Sequence, residues 1–287
     1  MTAVLRHELK NYFCSLSAYV FGAGLLVAVG LGAMLYNIQM AVSNFEFALN
    51  YFSIIFAVIV PILTMRVIAE ERKQKTDQLL YSLPITTAQI VVGKYLALLA
   101  VYLIPLCVIA VYPLIFARFG EVYLLTSYGS ILAFFIMGAA LIALGVFLSA
   151  LTDNQGFSAG IGIAVILLNY FSVSLSEYVS STAVGSVAAL CVVILALGAV
   201  IRYLTKNETL AYGVCFLLIA GVAAANFVDG GLFEGLLPGI MTSLSLFDRF
   251  TGFVNGFFDM TSIVYYLSVI VFFLFLSVQS LEKRRYN

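Results

Sequence analysis

Windows of roughly 18 or more predominantly apolar residues recur along this chain, each long enough for an α-helix to cross a bilayer. Inside lipid every backbone N–H and C=O must find a partner within the protein, so only helices and closed barrels span membranes. A barrel would show short segments in which apolar and polar residues alternate, whereas these runs are continuous. Composition removes a water-soluble fold: 63% of the 287 residues are hydrophobic, more than a soluble domain of that length hides from solvent. The chain reads as an all-α polytopic membrane protein.

Hydropathy and turn signals predict eight spans: Leu16 to Tyr36, Tyr51 to Ala69, Tyr95 to Phe116, Tyr128 to Leu151, Phe157 to Val173, Thr182 to Tyr203, Leu210 to Val228 and Ser262 to Ser280. Six is the alternative count, since the fifth is short and Tyr170 to Ser181 is Ser-rich enough for an interfacial or re-entrant piece. With both termini in the cytoplasm, inner loops collect every Lys and Arg except Arg118 and Arg249, as the positive-inside rule requires. Residues 1–287 then form one transmembrane domain with an interfacial segment at 1–15, a cytoplasmic elbow at 70–94 and an extracytoplasmic segment at 229–261. In that last segment, Leu244–Phe250 and Gly252–Asp259 read as short amphipathic helices lying on the outer leaflet.

The chemical inventory is sparse. His7 is the single histidine, and Cys14, Cys107, Cys191 and Cys215 form no CxxC pair, so no metal site is expected and the cysteines read as packed apolar residues. No phosphate-cradling GxxxxGK[ST] and no HExxH occurs, so no enzyme activity and no cofactor is expected in this chain. No charged residue falls near the centre of an expected span, which disfavours a gradient-driven carrier. If the protein transports, energy comes from a partner. No nucleic-acid partner is expected; membrane lipids are.

Against this background the stretch from Glu70 to Asp77 stands out: Glu70, Glu71, Arg72, Lys73, Lys75 and Asp77 fall within eight residues. Arg66 through Ser82 reads as a helix leaving the bilayer, with Leu79, Leu80 and Leu83 as an apolar cluster and Pro84 as its end. Thr86 and Gln89 have capping-box spacing for a new helix running through Lys94 into the next span. Such a helix–break–helix elbow suits a groove on a soluble partner, or rests on the inner leaflet through its basic residues. Farther on, Gly156, Gly160 and Ala164 recur at four-residue spacing, and Gly138 and Gly145 line one face of the preceding span; small residues let helix backbones approach. The first stripe suits packing within the chain or a subunit interface.

A span ending in Met65–Lys73, then Thr76-x-x-Leu79-Leu80-x-Ser82-Leu83-Pro84-Ile85, then Ile90-Val91-x-Gly93-Lys94-Tyr95, resembles type-2 ABC exporter permeases. Phe247–Phe250, Gly256–Asp259, Val264–Ser268 and Leu281–Arg285 resemble the gliding-motility-type branch. The resemblance implies a permease subunit coupled to a separate ABC ATPase that binds ATP and Mg, paired with a second permease copy or paralogue, in a bacterial or archaeal cytoplasmic membrane. It implies that Glu70, Glu71 and Arg72 orient the elbow, that Leu79, Leu80, Leu83 and Pro84 enter the ATPase, and that Gly93 and Lys94 mark the return to the membrane. Val4–Phe13, with Arg6, His7 and Lys10, fits the interfacial connecting helix of that family. The family's usual Gly or small residue after Lys73-Gln74 is replaced here by Lys75. A non-transport scaffold recruiting a cytoplasmic protein through the elbow is the competing expectation.

Overall fold

A computed structural model describes residues 2–75, 85–179 and 233–286, together with 182, 185–188, 190–191, 194–195, 202, 212–213 and 215–221. All regular structure among the described residues is helical. Six stretches there are long and apolar enough to span a membrane: Leu16–Gln39, Glu46–Gln74, Thr87–Phe116, Leu124–Leu151, Gln155–Tyr178 and Met260–Lys283. These correspond to the first five and the last of the expected spans. The expected spans Thr182–Tyr203 and Leu210–Val228 lie largely outside the described residues.

The helices are α1 (Thr2–Cys14), α2 (Leu16–Gly32, continued as a π-helix over Ala33–Gln39), α3 (Glu46–Phe52), α4 (Phe56–Thr64), α5 (Ala69–Gln74) and α6 (Thr87–Ile109). They continue with α7 (Tyr112–Phe116), α8 (Leu124–Leu151), α9 (Gln155–Tyr178), α10 (Leu236–Ser243), α11 (Leu246–Val254) and α12 (Met260–Tyr286). Residues 1–168 with 249–287 form one compact unit and residues 169–248 a second.

In the larger unit α8 is the central helix, packed on α4, α6 and α12. Its apolar window is 72% buried, against 22% for that of α12. Apolar side chains gain little by leaving lipid, so this centre depends on close van der Waals fit. Gly138 and Gly145, two turns apart on one face, provide it. A Cβ on Gly138 would stand 2.6 Å from the Tyr102 hydroxyl, and one on Gly145 would collide with the Thr64 side chain. Tyr102 is fully buried and donates to the Phe134 carbonyl at 2.8 Å. The edges of Phe21 and Phe56 meet the Tyr102 ring at 6.0 and 5.9 Å, and Phe135 stacks on it at 5.5 Å.

Span two departs from a continuous helix. Thr64 Oγ1 donates back to the Val60 carbonyl, a pattern that bends helices, and turns occupy Met65–Ile68 before α5 begins. The interruption frees the Ile68 and Ala69 amides, and both donate to Ser149 Oγ of α8 at 3.1 Å, while Ser149 donates to the Met65 carbonyl at 3.3 Å. A hydroxyl re-satisfying broken backbone is the condition on which irregular structure survives among spans. Ser149→Ala is expected to leave two buried amides without this acceptor, at about 1–3 kcal/mol each, and to lower the melting temperature of the purified protein in detergent. Wild-type stability in this variant would show that the amides find other partners.

At the α8 N-terminus, Ser127 Oγ and Asn44 Nδ2 donate to the two oxygens of Glu46, 1% exposed at the start of α3. Span two thus begins five residues before the expected Tyr51.

The segment before α12 corrects a sequence expectation. A helix does form over Leu246–Val254, but the apolar face of α11 is covered by protein rather than left open for the outer leaflet. Phe250 is fully buried with its ring 5.7 Å from Phe134, about 15 Å along α8 from that helix's start. Ser130 Oγ donates to the Phe253 carbonyl at 3.0 Å. The expected second helix over Gly252–Asp259 is absent, because Gly256 turns the chain with φ 83° and Asp259 is used as a cap. Its carboxylate accepts from the Thr261 and Ser262 amides and the Ser262 hydroxyl at 2.7–3.2 Å.

Those hydrogen bonds, the Ser262 hydroxyl foremost, hold the Asp259 carboxyl below its ordinary value. A depressed folded-state value means stability that is present above the unfolded value and lost as pH falls through the folded one. Asp259→Asn is therefore expected to be less stable than wild type at neutral pH, with the gap closing on acidification through the carboxylate range. Melting curves of both proteins across pH check this.

In the smaller unit Asn169 pins the joint between α10 and α11. Its Nδ2 donates to the Leu244 carbonyl at 3.0 Å, its Oδ1 accepts from the Leu246 amide at 2.9 Å, and its carbonyl accepts from Ser245 Oγ at 3.3 Å.

Candidate functional site

The charged stretch that opens the elbow folds into α5, shorter than expected. The predicted helix over Arg66–Ser82 is broken by the Met65–Ile68 turns, starts at Ala69 and ends at Gln74. Lys75 closes it in the left-handed conformation, φ 57° and ψ 21°, with its amide on the Arg72 carbonyl at 3.1 Å. That conformation favours glycine, which accounts physically for the Gly or small residue the resembling family usually has there. Leu79, Leu80, Leu83 and Pro84 lie outside the described residues.

The stem is held from two sides. Lys94, near the start of α6, has a side chain only 1% exposed, and its Nζ donates to Glu71 of α5 at 2.6 Å and to Glu8 of α1 at 2.7 Å. Burying an ammonium is costly unless carboxylates and their hydrogen bonds accompany it, and two do. One lysine thereby bolts three helices together. Arg72, 6% exposed, turns toward Asp153 in the α8–α9 connection at 3.9 Å. Glu70 is half-buried and accepts from Gln74 at 3.3 Å.

The returning limb is held as well. Thr86 and Gln89 form the expected reciprocal capping box, with bonds of 3.3 and 3.4 Å. The neighbouring Thr87, buried, donates to Glu282 at the end of α12 at 2.8 Å. Two residues before Glu282, Ser280 Oγ donates to the Ala150 carbonyl of α8 at 2.9 Å.

On α1, Glu8 and Tyr12 form the buried face at i, i+4 spacing, and Arg6, His7 and Lys10 are exposed. Burial pushes the Tyr12 phenol well above its ordinary value, and the Glu8, Glu71 and Glu70 carboxylates add to the shift. Glu8, Thr87 and Glu282 are absent from the set of residues the sequence marked out. A signal for the bolt does exist in Ile90-Val91-Val92-Gly93-Lys94-Tyr95-Leu96, where a lone cation sits in an apolar run and so demands a carboxylate partner.

The small-residue stripe of α9 faces away from the rest of its unit. A Cβ on Gly160 meets nothing within 4 Å among the described residues, and one on Gly156 meets only Asn154. Ser158, Gly162 and Ile166 face inward instead, with Gly162 against Pro61 of α4 at 3.2 Å. Ala164 is exposed. Arg249 of α11 places its guanidinium 4.1 Å from the centre of the Tyr265 ring of the last span.

Among the described residues no group of His, Cys, Asp and Glu has the arrangement to hold a metal ion. A family profile described as ABC-2 family transporter protein matches residues 32–183, a little over half of the chain. No curated protein and no solved structure matches it.

Proposed function

Because the chain belongs to the ABC-2 transporter family and is a multi-pass permease subunit of an ABC transporter, we propose that it works as an exporter driven by a separate ATPase docked on the elbow between spans two and three. The observation that carries this reading is the Glu8–Lys94–Glu71 bolt. A loop merely resting on lipid has no use for a buried cation joining its stem to two other helices. A lever that transmits force needs such a joint, since a flexible stem would dissipate a partner's movement.

In this reading ATP and Mg bind only in the partner, and this chain is not itself an enzyme. Leu79, Leu80, Leu83 and Pro84 form the knob that fills the ATPase groove. Arg72–Asp153 and Thr87–Glu282 tie its two limbs to the α8–α9 connection and to α12, so a push on the knob reaches the spans that pack at the centre. The outward stripe Gly156, Gly160, Ala164 supplies the contact with a second permease copy or paralogue. We assign the chain to the gliding-motility-type branch on its C-terminal motifs, and to a bacterial or archaeal cytoplasmic membrane with both termini inside.

Orientation is tested by single cysteines on a background lacking the native four. One at Gln74 is expected to resist an impermeant thiol reagent in intact cells, and one at Gly230 to react. Labelling at Gln74 from outside would overturn the reading.

A further inference from the structure

Beside the bolt lies a cavity of about 500 Å³ between α1, the end of span two and the start of α6. Its lining is charged and mixed in sign: Arg66 and Lys94 against Glu8, Glu70 and Glu71, one more carboxylate than lysine or arginine. Lys94, Glu8 and Glu71 are committed to one another. Three other groups are not so used. The Tyr12 side chain is buried to all but 7%, lines the cavity, and its hydroxyl makes no hydrogen bond to a described residue. The Arg66 and His7 side chains also line it and make none.

We propose that this cavity binds the phosphoethanolamine headgroup of a membrane phospholipid. A primary ammonium brings three N–H donors, which match the Glu70 carboxylate and the Tyr12 oxygen, and the excess of carboxylate favours a cation. The adjoining phosphate accepts from Arg66 and His7. A lipid rather than a soluble molecule fits the surroundings. Ser15 and Ser17 line the cavity where α1 meets α2, and Leu16 between them is 75% exposed, with Tyr19 59% and Phe13 41% exposed nearby. Apolar surface thus adjoins a polar cavity where a spanning helix begins, the level at which headgroups sit. This site does not depend on the proposed ATPase coupling, and its test uses no ATPase readout.

The experiment delipidates the full-length protein in detergent and measures rebinding of phosphatidylethanolamine, phosphatidylcholine and phosphatidylglycerol of equal chain length by native mass spectrometry. Phosphatidylethanolamine is expected to bind roughly ten-fold more tightly than phosphatidylcholine, whose trimethylated nitrogen offers no N–H donor. Glu70→Gln and Tyr12→Phe should remove that preference while leaving residual binding. Arg66→Ala should weaken all three lipids. Equal binding of the first two lipids, tighter binding of phosphatidylglycerol, or an unchanged preference in Glu70→Gln would each overturn the proposal. Free phosphoethanolamine binding as tightly as the lipid would assign the cavity to a soluble ligand and overturn the lipid assignment.

Discussion

Lys94→Met is expected to be the most damaging single substitution in the described part of the chain. The lysine side chain is 1% exposed and shared by Glu8 and Glu71 at 2.7 and 2.6 Å. Removing it leaves two carboxylates facing each other in the space the cation neutralised. Breaking a buried pair in this way costs about 3–5 kcal/mol, chiefly through the uncompensated charge left behind. Glu8 and Glu71 are 11% and 25% exposed, so water entering beside Glu71 relieves part of that cost.

The triple variant Lys94→Met, Glu8→Gln, Glu71→Gln separates electrostatics from mechanics. Neutral side chains remove the repulsion, and much of the lost stability should return, because replacing a whole buried ionic group is often near neutral. If the bolt transmits force, ATP turnover by the assembled transporter should still fail to respond to the permease, since nothing then holds α5 to α1 and α6. Recovery of both stability and stimulated turnover in the triple variant would reduce the bolt to a folding element.

The second large effect is expected at the knob. Leu80→Asp puts a carboxylate into a contact that the docking account places out of water, at a cost of several kcal/mol, comparable to losing an interface hot spot. Lys73→Glu, on the exposed side of α5, should cost below about 1 kcal/mol. A membrane-resting loop predicts the opposite order, because each basic residue near anionic headgroups contributes about 1 kcal/mol and no partner depends on the leucines. Retention of the ATPase in the purified assembly distinguishes the two.

What the sequence disclosed followed the physics of each signal. Spans were legible because an apolar run of that length has few other uses, and the Thr86–Gln89 capping box because its spacing is local. The break at Met65–Ile68 was not, since the hydroxyl that re-satisfies its freed amides, Ser149, lies some eighty residues downstream. Lys75 was visible as a departure from a family habit, but the left-handed backbone behind it was not. The surface helices expected before α12 failed for a similar reason: an amphipathic pattern fixes which face is apolar, not whether lipid or another helix covers it. Phe250 is covered by Phe134. Lys94 illustrates the limit best. Its isolation in an apolar run demanded a carboxylate, yet only the fold shows that Glu8 and Glu71 answer from two different helices.

The central claim, that this permease carries a docking elbow for a separate ATPase, is tested most directly by expressing it with the ATPase encoded beside it and purifying through a tag on the permease. Association in mild detergent is expected, with ATP turnover in the complex that differs from that of the ATPase alone and falls away in Leu80→Asp. An ATPase that fails to co-purify with the wild-type chain, or that stays bound with unchanged turnover in Leu80→Asp, would contradict it.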